Sequence, residues 1–292
     1  MVADQVIKDR YALYLGDCVE VARDIPDNSI GYSIFSPPFS SLYTYSGFDR
    51  DMGNVEDDEQ FMEGFRYLVR ELYRITKPGR SVSFHCMDLP ARKSIEGYIG
   101  LKDFPSLLIK AFEAEGFIYH SKVTIWKNPV VEMQRTKALG LLHKTIRKDS
   151  SMSRVGLPDY LVTMRKPGEN PEPITHTHES FSVNQWQQWA SPVWMDISQT
   201  NVLNGKVARE EKDERHICPL QLEVIERGIE LWSNPDDIVF DPFGGIGSTP
   251  YMALKMGRRA LASELKESYF KQMTKNCETA LQSEQMEQGE LF

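Results

Sequence analysis

Short apolar runs alternate with amphipathic stretches through the first 128 residues. The runs that predict strands cover residues 11–15, 29–35, 81–86 and 119–126. The stretches whose apolar positions recur at helical spacing cover residues 19–25, 57–75 and 104–115. These two periods distinguish strands from helices. Strands that alternate with helices predict an α/β domain built on a mainly parallel sheet.

The alternation breaks between about residues 128 and 213 and then resumes. The interrupted stretch contains three tryptophans in its 181–195 segment, and packing is favoured over base stacking as their role. One apolar run, at 160–166, predicts a strand that returns to the sheet. Beyond the break, the pattern predicts a strand at 238–241, a helix at 249–256 and a strand at 259–263.

The strand at 29–35 runs directly into Ser36-Pro37-Pro38-Phe39. Each proline fixes its own φ and lacks an N–H donor, and the residue before a proline is excluded from helical geometry. The strand therefore ends in a stiff, extended corner that brings a hydroxyl, fixed carbonyls and an aromatic ring together. Such a corner suits a flat group that carries an NH₂, although Ser-Pro-Pro also occurs in ordinary turns.

The strand at 238–241 runs into a glycine-rich turn, Asp241-Pro242-Phe243-Gly244-Gly245-Ile246-Gly247-Ser248. A strand, a glycine turn and a helix form the nucleotide-binding corner of doubly wound sheets, and an acidic residue about 20 positions later accepts ribose hydroxyls there. Glu264 stands at that spacing. The third glycine of a dinucleotide fingerprint and a P-loop lysine are both missing. The turn therefore predicts a nucleoside site without a pyrophosphate, with an ordinary tight turn as the alternative.

These two motifs, in this order, resemble the catalytic and S-adenosylmethionine motifs of amino-group DNA methyltransferases of the permuted β group. Smaller matches are Asp17-Cys18, residues 75–80, and His216 with Pro219. The resemblance covers residues 11–128 and 213–275. It implies a Rossmann-like methyltransferase fold with a mostly parallel, doubly wound sheet, a circularly permuted motif order and an inserted target-recognition region.

The resemblance also implies roles for individual residues. The implied catalytic residues are Ser36, Pro37, Pro38 and Phe39. The implied S-adenosylmethionine-binding residues are Asp17, Cys18, His216, Pro219, Asp241, Pro242, Phe243, Gly245, Gly247, Ser248, Glu264 and Leu265. The Ser36 hydroxyl and the Pro37 carbonyl would accept the two N–H groups of an exocyclic amine, which concentrates the nitrogen lone pair. Phe39 would stack on the base, which has to flip out of the duplex first.

The target base stays open at this stage. In the resembling family a leading Ser is associated with cytosine N4 and a leading Asp or Asn with adenine N6, so Ser36 favours cytosine and adenine is the alternative. An RNA or protein-amide methyltransferase and a catalytically inactive DNA-binding protein are more distant alternatives. A nicotinamide-dependent dehydrogenase would leave Ser36-Pro37-Pro38 unexplained.

The expected division of the chain follows the motifs. Residues 1–128 form the catalytic half, 129–212 the target-recognition region with a core strand at 160–166, 213–280 the cofactor half, and 281–292 a tail.

Charge is strongly segregated along the chain. The whole chain carries a net charge of −8, yet residues 122–166 hold ten Lys or Arg against three Asp or Glu. A basic face on an acidic body attracts phosphates. The predicted DNA-binding residues are Lys137, Lys144, Arg147, Lys148 and Arg154, and the expected partner is double-stranded DNA. The alternative is a solvated basic surface without a partner.

Several other classes of protein are disfavoured. The chain lacks a run of 18 apolar residues, and residues 1–10 lack the apolar core of a secretory signal. Four scattered cysteines without C-x-x-C spacing argue against disulfides and zinc, which fits a cytoplasmic protein. His176 and His178 lack partners nearby in sequence for a metal site. A homodimer and a cognate restriction endonuclease, or none, remain open.

Overall fold

The computed structural model describes residues 2–39, 58–91, 97–136, 138–204 and 219–289. Two of the predicted site residues, Lys137 and His216, lie outside these ranges. The strands are β1 Asp4–Ile7, β2 Tyr11–Leu15, β3 Ile30–Phe35, β4 Thr76–Cys86, β5 Leu89–Ala91, β6 Gly100–Lys102, β7 Ile118–Ile125, β8 Asp159–Arg165, β9 Val193–Trp194, β10 Ile238–Asp241 and β11 Arg259–Glu264. The helices are α1 Cys18–Arg23, α2 Asp58–Ile75, α3 Phe104–Ala114, α4 Pro129–Thr136, α5 His143–Lys148, α6 Val183–Trp189, α7 Leu222–Trp232, α8 Ser248–Lys255 and α9 Glu267–Gly289.

Nine of the described strands form one sheet in the order β1-β2-β11-β10-β3-β4-β8-β7-β9. The five strands from β2 to β4 in this order are parallel to their neighbours. β1 is antiparallel to β2, and β8 is antiparallel to both β4 and β7. The fold class expected from the sequence, α/β with a mostly parallel sheet, is confirmed.

The directions of the strands bring several strand ends to one edge of the sheet. The five parallel strands end there at Leu15, Glu264, Asp241, Phe35 and Cys86. This edge is called the carboxyl edge below, and the other end of the same strands is the amino edge. Since β8 is antiparallel to β4, β8 begins at the carboxyl edge with Asp159. In open α/β sheets, ligands bind outside the carboxyl ends of the strands.

Helices cover both faces of the sheet. On one face, α1, α2 and α3 pack apolar side chains such as Phe65 and Leu108 against β3, β4 and β8. On the other face, α7, α8 and α9 pack residues such as Val224 and Met273 against β2, β10 and β11. The parallel strands are thus buried on both faces, which explains why their sequences are continuous apolar runs rather than alternating ones.

Some elements differ from the sequence expectation. β1 pairs with β2, although the sequence pattern predicted no strand at residues 4–7. Residues 76–80, which precede the strand predicted at 81–86, belong to the same strand, β4. The strand expected at 160–166 is β8, at 159–165, between β4 and β7 in the sheet. Part of the 129–212 stretch is therefore continuous with the main sheet.

The remaining parts of that stretch leave the sheet at different edges. Residues 126–158 connect the end of β7 to the start of β8, so this excursion begins and ends at the carboxyl edge. Residues 166–192 connect β8 to β9, so this second excursion begins at the amino edge and ends beside Thr124, near the carboxyl-edge end of β7. Here the Arg227 guanidinium lies over the rings of Trp189 and Trp194, 5.3 and 4.8 Å from their centroids. These two tryptophans pack within the fold, as the sequence favoured.

Among the described helices, none combines the length and the apolar content that crossing a membrane requires.

Candidate functional site

The Ser36 corner and the glycine turn lie side by side at the carboxyl edge. β3 and β10 are neighbouring parallel strands, with Tyr32 opposite Val239. The Thr249 hydroxyl donates a hydrogen bond of 3.1 Å to the Ile34 carbonyl, which ties the start of α8 to the end of β3. The rings of Phe35 and Phe243 are 5.7 Å apart. Two motifs some 200 residues apart in the sequence therefore share one edge of the sheet.

Ser36 lies at the start of a chain of polar contacts across three strands. Its Oγ is 3.1 Å from Nδ1 of His85, near the end of β4. The other ring nitrogen, Nε2, is 3.3 Å from Oδ2 of Asp159, at the start of β8. Oδ1 of Asp159 accepts a hydrogen bond of 2.6 Å from Nζ of Lys127, just after β7. We call these four residues the Ser36 chain.

The Asp159 carboxylate is held in its charged form inside the protein. Burial alone would raise the pKa of Asp159, but the neighbouring His85 and Lys127 together keep this pKa below its ordinary value. A buried carboxylate at ion-pair distance from two possible cations is stable only with such partners. Asp159 is therefore a fixed acceptor behind the imidazole.

The rest of the Ser36 corner forms the wall around this chain. Pro37 is buried, while Ser36, Pro38 and Phe39 are partly exposed. The Phe39 ring meets His85 and Phe104 edge-on, at centroid distances of 6.2 and 6.4 Å. Residues 36–39 have no regular secondary structure, as the two prolines predict. The sequence-predicted catalytic residues thus form one partly open corner.

Gly245 and Gly247 in the turn each require glycine, but for different structural reasons. Gly247 has φ +90°, and a Cβ there would lie 2.8 Å from the Met273 side chain, so this glycine serves packing against α9. Gly245 has φ +54°, and within the described ranges the nearest heavy atom to an added Cβ, apart from its immediate chain neighbours, is 3.9 Å away. Gly245 therefore needs glycine for its left-handed backbone, and its side-chain position is open. An open backbone surface of this kind lets a ligand approach closely.

Glu264 links the turn to α9. Its Oε2 accepts a hydrogen bond of 2.8 Å from the Gly245 N–H, and its Oε1 accepts one of 2.8 Å from the Lys266 N–H. A carboxylate has about four lone-pair positions, so each oxygen retains capacity for a ribose hydroxyl. Asp17 caps the N-terminus of α1 by accepting from the Val19 and Glu20 N–H groups. Both acidic residues lie on the carboxyl edge at the ends of neighbouring strands.

Asp241 and Ser248 are buried polar groups at the glycine turn. Desolvation raises the pKa of Asp241 to about 7, against the lowering effect of the hydrogen bond that the Phe243 N–H donates to its carboxylate. The Ser248 Oγ is buried and has no hydrogen-bond partner among the described residues. A buried hydroxyl without a partner and a buried carboxyl whose charged form a nearby positive charge would favour both fit a site for a polar, positively charged nucleoside.

The other predicted cofactor residues lie around the same turn. The Pro242 carbonyl accepts a hydrogen bond of 2.8 Å from Ser263. Cys18 is 6% exposed and packs into the core on the α1 face, so its side chain contributes to packing. Leu265 follows Glu264 directly, and Pro219 stands two residues before the N-cap of α7.

The basic stretch is divided by the fold. Lys144, Arg147 and Lys148 are exposed on α5, within the excursion at the carboxyl edge. Arg154 is paired with Glu132 at 3.4 Å and is partly buried. Lys166, at the amino edge, donates to the Thr76 carbonyl and Asn28. The single basic face expected from residues 122–166 is therefore wrong in extent, because β8 runs from the carboxyl edge to the amino edge and separates Lys166 from the basic residues of α5.

Comparison with known proteins identifies the family. The profile of the N6_N4_Mtase family, described as DNA methylase, matches residues 31–275. The chain belongs to this family. The match confirms the resemblance noted in the sequence to amino-group DNA methyltransferases, and with it the enzyme class.

Individual relatives are distant in sequence but similar in fold. M.BglII, a type II methyltransferase of Bacillus subtilis, is 22% identical over 257 residues; the match covers 88% of this chain and 66% of the length of that relative. The Thermus thermophilus protein TTHA0409, classed as a DNA modification methylase and solved with S-adenosyl-L-methionine, has a TM-score of 0.68 at 22% identity, over 92% of this chain and 95% of that one. The PvuII DNA methyltransferase, cytosine-N4-specific, has a TM-score of 0.64 at 17% identity, over 97% of each chain.

Sequence reasoning missed three members of the Ser36 chain: His85, Asp159 and Lys127. The sequence signal that could have found them was their position at or next to the ends of predicted strands. His85 lies near the end of one strand, and Asp159 precedes the strand expected at 160–166. Only the antiparallel placement of β8 beside β4 shows that these two ends meet.

Proposed function

We propose that this methylase transfers its methyl group to the exocyclic amine of a base flipped out of double-stranded DNA, with cytosine N4 as the favoured target. The observation that supports it is the junction of β3 and β10, where the Thr249–Ile34 hydrogen bond and the Phe35–Phe243 contact hold the Ser36 corner against the glycine turn. A base amine at the corner and a nucleoside at the turn would then be neighbours.

The cofactor half of the site rests on Gly245, Glu264, Asp241 and Ser248. Gly245 leaves space for a ligand on its open side. The buried Ser248 hydroxyl has no hydrogen-bond partner among the described residues and would gain one from a nucleoside cofactor. Glu264 would accept ribose hydroxyls, and Asp241 would sit near positive charge. When bound, S-adenosylmethionine supplies an electrophilic methyl group on a sulfonium sulfur.

The base half of the site rests on Ser36, Pro37 and Phe39. The Ser36 oxygen and the Pro37 carbonyl would each accept one N–H of the amine, and the exposed part of Phe39 would contact the ring. Two acceptors draw the nitrogen toward a tetrahedral shape and concentrate its lone pair. Preorganised acceptors of this kind act on the developing charge without moving during the reaction.

DNA would approach along the carboxyl-edge excursion. α5 presents Lys144, Arg147 and Lys148 to solvent on this edge. Contacts of Lys and Arg with phosphates supply most of the affinity of non-specific DNA binding. Arg154 would act indirectly, since its pairing with Glu132 stabilises the excursion.

Adenine N6 is the second candidate for the target. The family to which the chain belongs covers both amines, and the hydroxyl of Ser36 can accept an N–H from either base. A homodimer, a cognate restriction endonuclease and a cytoplasmic location stay predictions from the sequence.

One experiment tests the proposal and decides between the bases. The protein is incubated with S-adenosylmethionine carrying a deuterated methyl group and with DNA amplified in vitro, which has no prior methylation. The DNA is then digested to nucleosides and analysed by mass spectrometry. We expect labelled N4-methylcytosine. Labelled N6-methyladenine would select the second candidate, and no labelled nucleoside from DNA of broad sequence content would contradict the proposal.

A further inference from the structure

The hydroxyl of Ser36 has to present its oxygen, and not its hydrogen, to an incoming amine. A free serine hydroxyl rotates and offers both. If its hydrogen pointed at the base, the hydroxyl would oppose an amine N–H instead of accepting it. Some neighbouring acceptor must therefore hold the hydrogen, and His85 Nδ1, 3.1 Å away, is in position to do so.

The tautomer of His85 decides whether Nδ1 can accept that hydrogen. A neutral imidazole carries one hydrogen, on either nitrogen, and the partner of the other nitrogen selects which. Nε2 is buried and makes no hydrogen bond of good geometry within the described part of the chain, but it lies 3.3 Å from Oδ2 of the Asp159 carboxylate, within ion-pair distance. A carboxylate can only accept, so the hydrogen belongs on Nε2 and the lone pair on Nδ1.

Lys127 fixes this direction from the far end. Its ammonium donates to Asp159 Oδ1 at 2.6 Å, and Asp159 is 5% exposed. The ammonium thus favours the ionised carboxylate, and the ionised carboxylate favours a hydrogen on His85 Nε2. The direction of each contact in the Ser36 chain then follows: the Lys127 ammonium donates to Asp159, the Nε2–H of His85 is the positive end of its contact with Asp159, and the Ser36 hydroxyl donates to His85.

We propose that His85, oriented by Asp159 and Lys127, is the positioning residue that turns the Ser36 oxygen toward the base amine and receives the proton that methylation releases. This inference rests on the proposed function of Ser36. It assigns a role to residues on β4, on β8 and after β7, none of which belongs to the two motifs at β3 and β10.

The proton balance of the step supports this role. As the N–CH₃ bond forms and the S–CH₃ bond breaks, the sulfonium becomes a neutral thioether and the amine nitrogen carries the positive charge. That nitrogen then gives one proton to Ser36 Oγ while the Ser36 hydroxyl proton moves to His85 Nδ1. Serine is unchanged, and His85 becomes an imidazolium beside the Asp159 carboxylate until it loses the proton to water.

The same geometry predicts how the reaction responds to acid. An imidazolium has a hydrogen on Nδ1, which would donate to Ser36 Oγ and compete with the amine. Among the described residues, the charged groups of this chain of contacts are Asp159 and Lys127. Cys86, next on β4, stays neutral because burial raises the pKa of its thiol well above the ordinary value. The step should therefore fail once His85 is protonated before the base binds.

The first test measures the direction of the hydrogen bonds directly and needs no catalysis. In protein labelled with ¹⁵N at histidine, long-range ¹⁵N–¹H correlation spectra distinguish the two neutral tautomers, and His85 is assigned through bonds. We expect the hydrogen on Nε2 at pH 8 in the full-length wild-type protein. A hydrogen on Nδ1 would overturn the proposal, whatever the activity.

The second test separates orientation from proton uptake. His85→Asn retains an acceptor close to the former Nδ1 but no basic nitrogen. Under single-turnover conditions with saturating S-adenosylmethionine and the in vitro amplified DNA, we expect the methylation rate to fall about a hundredfold, within the range of general base catalysis. The wild-type rate should rise with pH along an acidic limb that the variant lacks. If the wild type and His85→Asn had equal methylation rates and the same acidic limb in their pH profiles, the proposal would be overturned.

His120→Asn is the matched control. His120 Nδ1 also lies 3.1 Å from a serine hydroxyl, that of Ser121, but it is exposed near the amino-edge end of β7. We expect its rate, pH profile and S-adenosylmethionine affinity to equal those of the wild type, and thermal unfolding to show all three proteins folded. If the wild type itself methylates no DNA, the proposed function fails, and the spectra alone then decide the hydrogen-bond direction.

Discussion

At the scale of single residues, Ser36 and Asp241 end neighbouring strands but face different constraints. Ser36 is partly exposed, and its hydroxyl contacts His85. Asp241 is buried, and desolvation raises the pKa of its carboxyl to about 7. The first residue is positioned for a base and the second for a cofactor, so their substitution should affect different measurements.

Ser36→Ala should lower turnover far more than cofactor affinity. The variant removes one of two amine acceptors and leaves Gly245, Glu264 and Asp241 untouched. Loss of one preorganised hydrogen-bonding group at a reacting atom typically lowers kcat about 10²–10³-fold. Single-turnover methylation and calorimetric S-adenosylmethionine binding measure the two effects. A parallel loss of rate and affinity would show that Ser36 belongs to the cofactor site instead.

Asp241→Asn should change how stability depends on pH. The folded-state pKa of Asp241, about 7, lies above the ordinary value of 3.8, so the folded protein retains a proton that the unfolded chain has lost. The stability that this group contributes is present below about pH 4 and is lost as the pH rises toward 7, by at most ~1.4 kcal/mol per pH unit.

Urea unfolding between pH 5 and pH 8 measures this difference. We expect Asp241→Asn to gain stability relative to the wild type across that interval. Asp9→Asn, at an exposed position, serves as the control. Parallel curves for the wild type and Asp241→Asn would mean that the buried carboxyl does not titrate in this range.

At the scale of elements, the sequence predicts best where the local pattern is strong. The buried strands β3, β10 and β11 are apolar runs, and the prolines and glycines after β3 and β10 explain their turns. β1 is the opposite case, because its residues are mostly exposed and only pairing with β2 makes it a strand. β9 has two residues, too few for any periodic pattern.

The site follows the same division between local and tertiary information. Ser36 and Gly245 are found from the sequence because each stands in a turn whose geometry its own neighbours dictate. Sequence reasoning does not find His85 and Asp159, because their proximity depends on the order of β4 and β8 in the sheet. The reversal at β8 also splits the basic stretch, which a count of charges along the chain cannot detect.

The glycine turn allows a prediction with an internal control. Gly245→Ala should cost only about 1–2 kcal/mol of folding free energy, from its positive φ, since its Cβ enters open space. It should nevertheless weaken S-adenosylmethionine binding strongly, because the methyl group occupies the side that the ligand approaches. Calorimetry and urea unfolding give both values.

Gly247→Ala should show the reverse balance. Its Cβ would meet Met273 at 2.8 Å in addition to the cost of a φ of +90°, so the loss of folding stability should exceed that of Gly245→Ala. If Gly245→Ala binds S-adenosylmethionine as tightly as the wild type, the cofactor does not contact this turn.

At the scale of the whole molecule, the two edges of the sheet have different surroundings. The carboxyl edge carries the Ser36 corner, the glycine turn and the exposed basic residues of α5. The excursion over residues 166–192 starts from the amino edge and packs Trp189 against Arg227. A duplex that reaches the Ser36 corner should therefore contact the first excursion.

Replacing Arg147 and Lys148 with Glu should weaken DNA binding. Each lost phosphate contact lowers the slope of log K against log salt by about 1, so the double variant should reduce that slope by about 2. Lys8→Glu with Arg259→Glu changes the net charge equally at the amino edge and should leave the slope close to that of the wild type. Binding titrations at several salt concentrations compare the three proteins. An unchanged slope in the α5 variant would place the DNA elsewhere.

The order of strands in the sheet has a consequence for protein synthesis. β11 and β10 lie between β2 and β3, although they are made some 200 residues later. A nascent chain that has not reached residue 238 has a gap of two strands in the middle of its sheet, with unpaired edges on β2 and β3 that attract other chains. Neither the catalytic corner nor the cofactor turn can assemble early, and any premature stop before β10 should yield an insoluble product without partial activity.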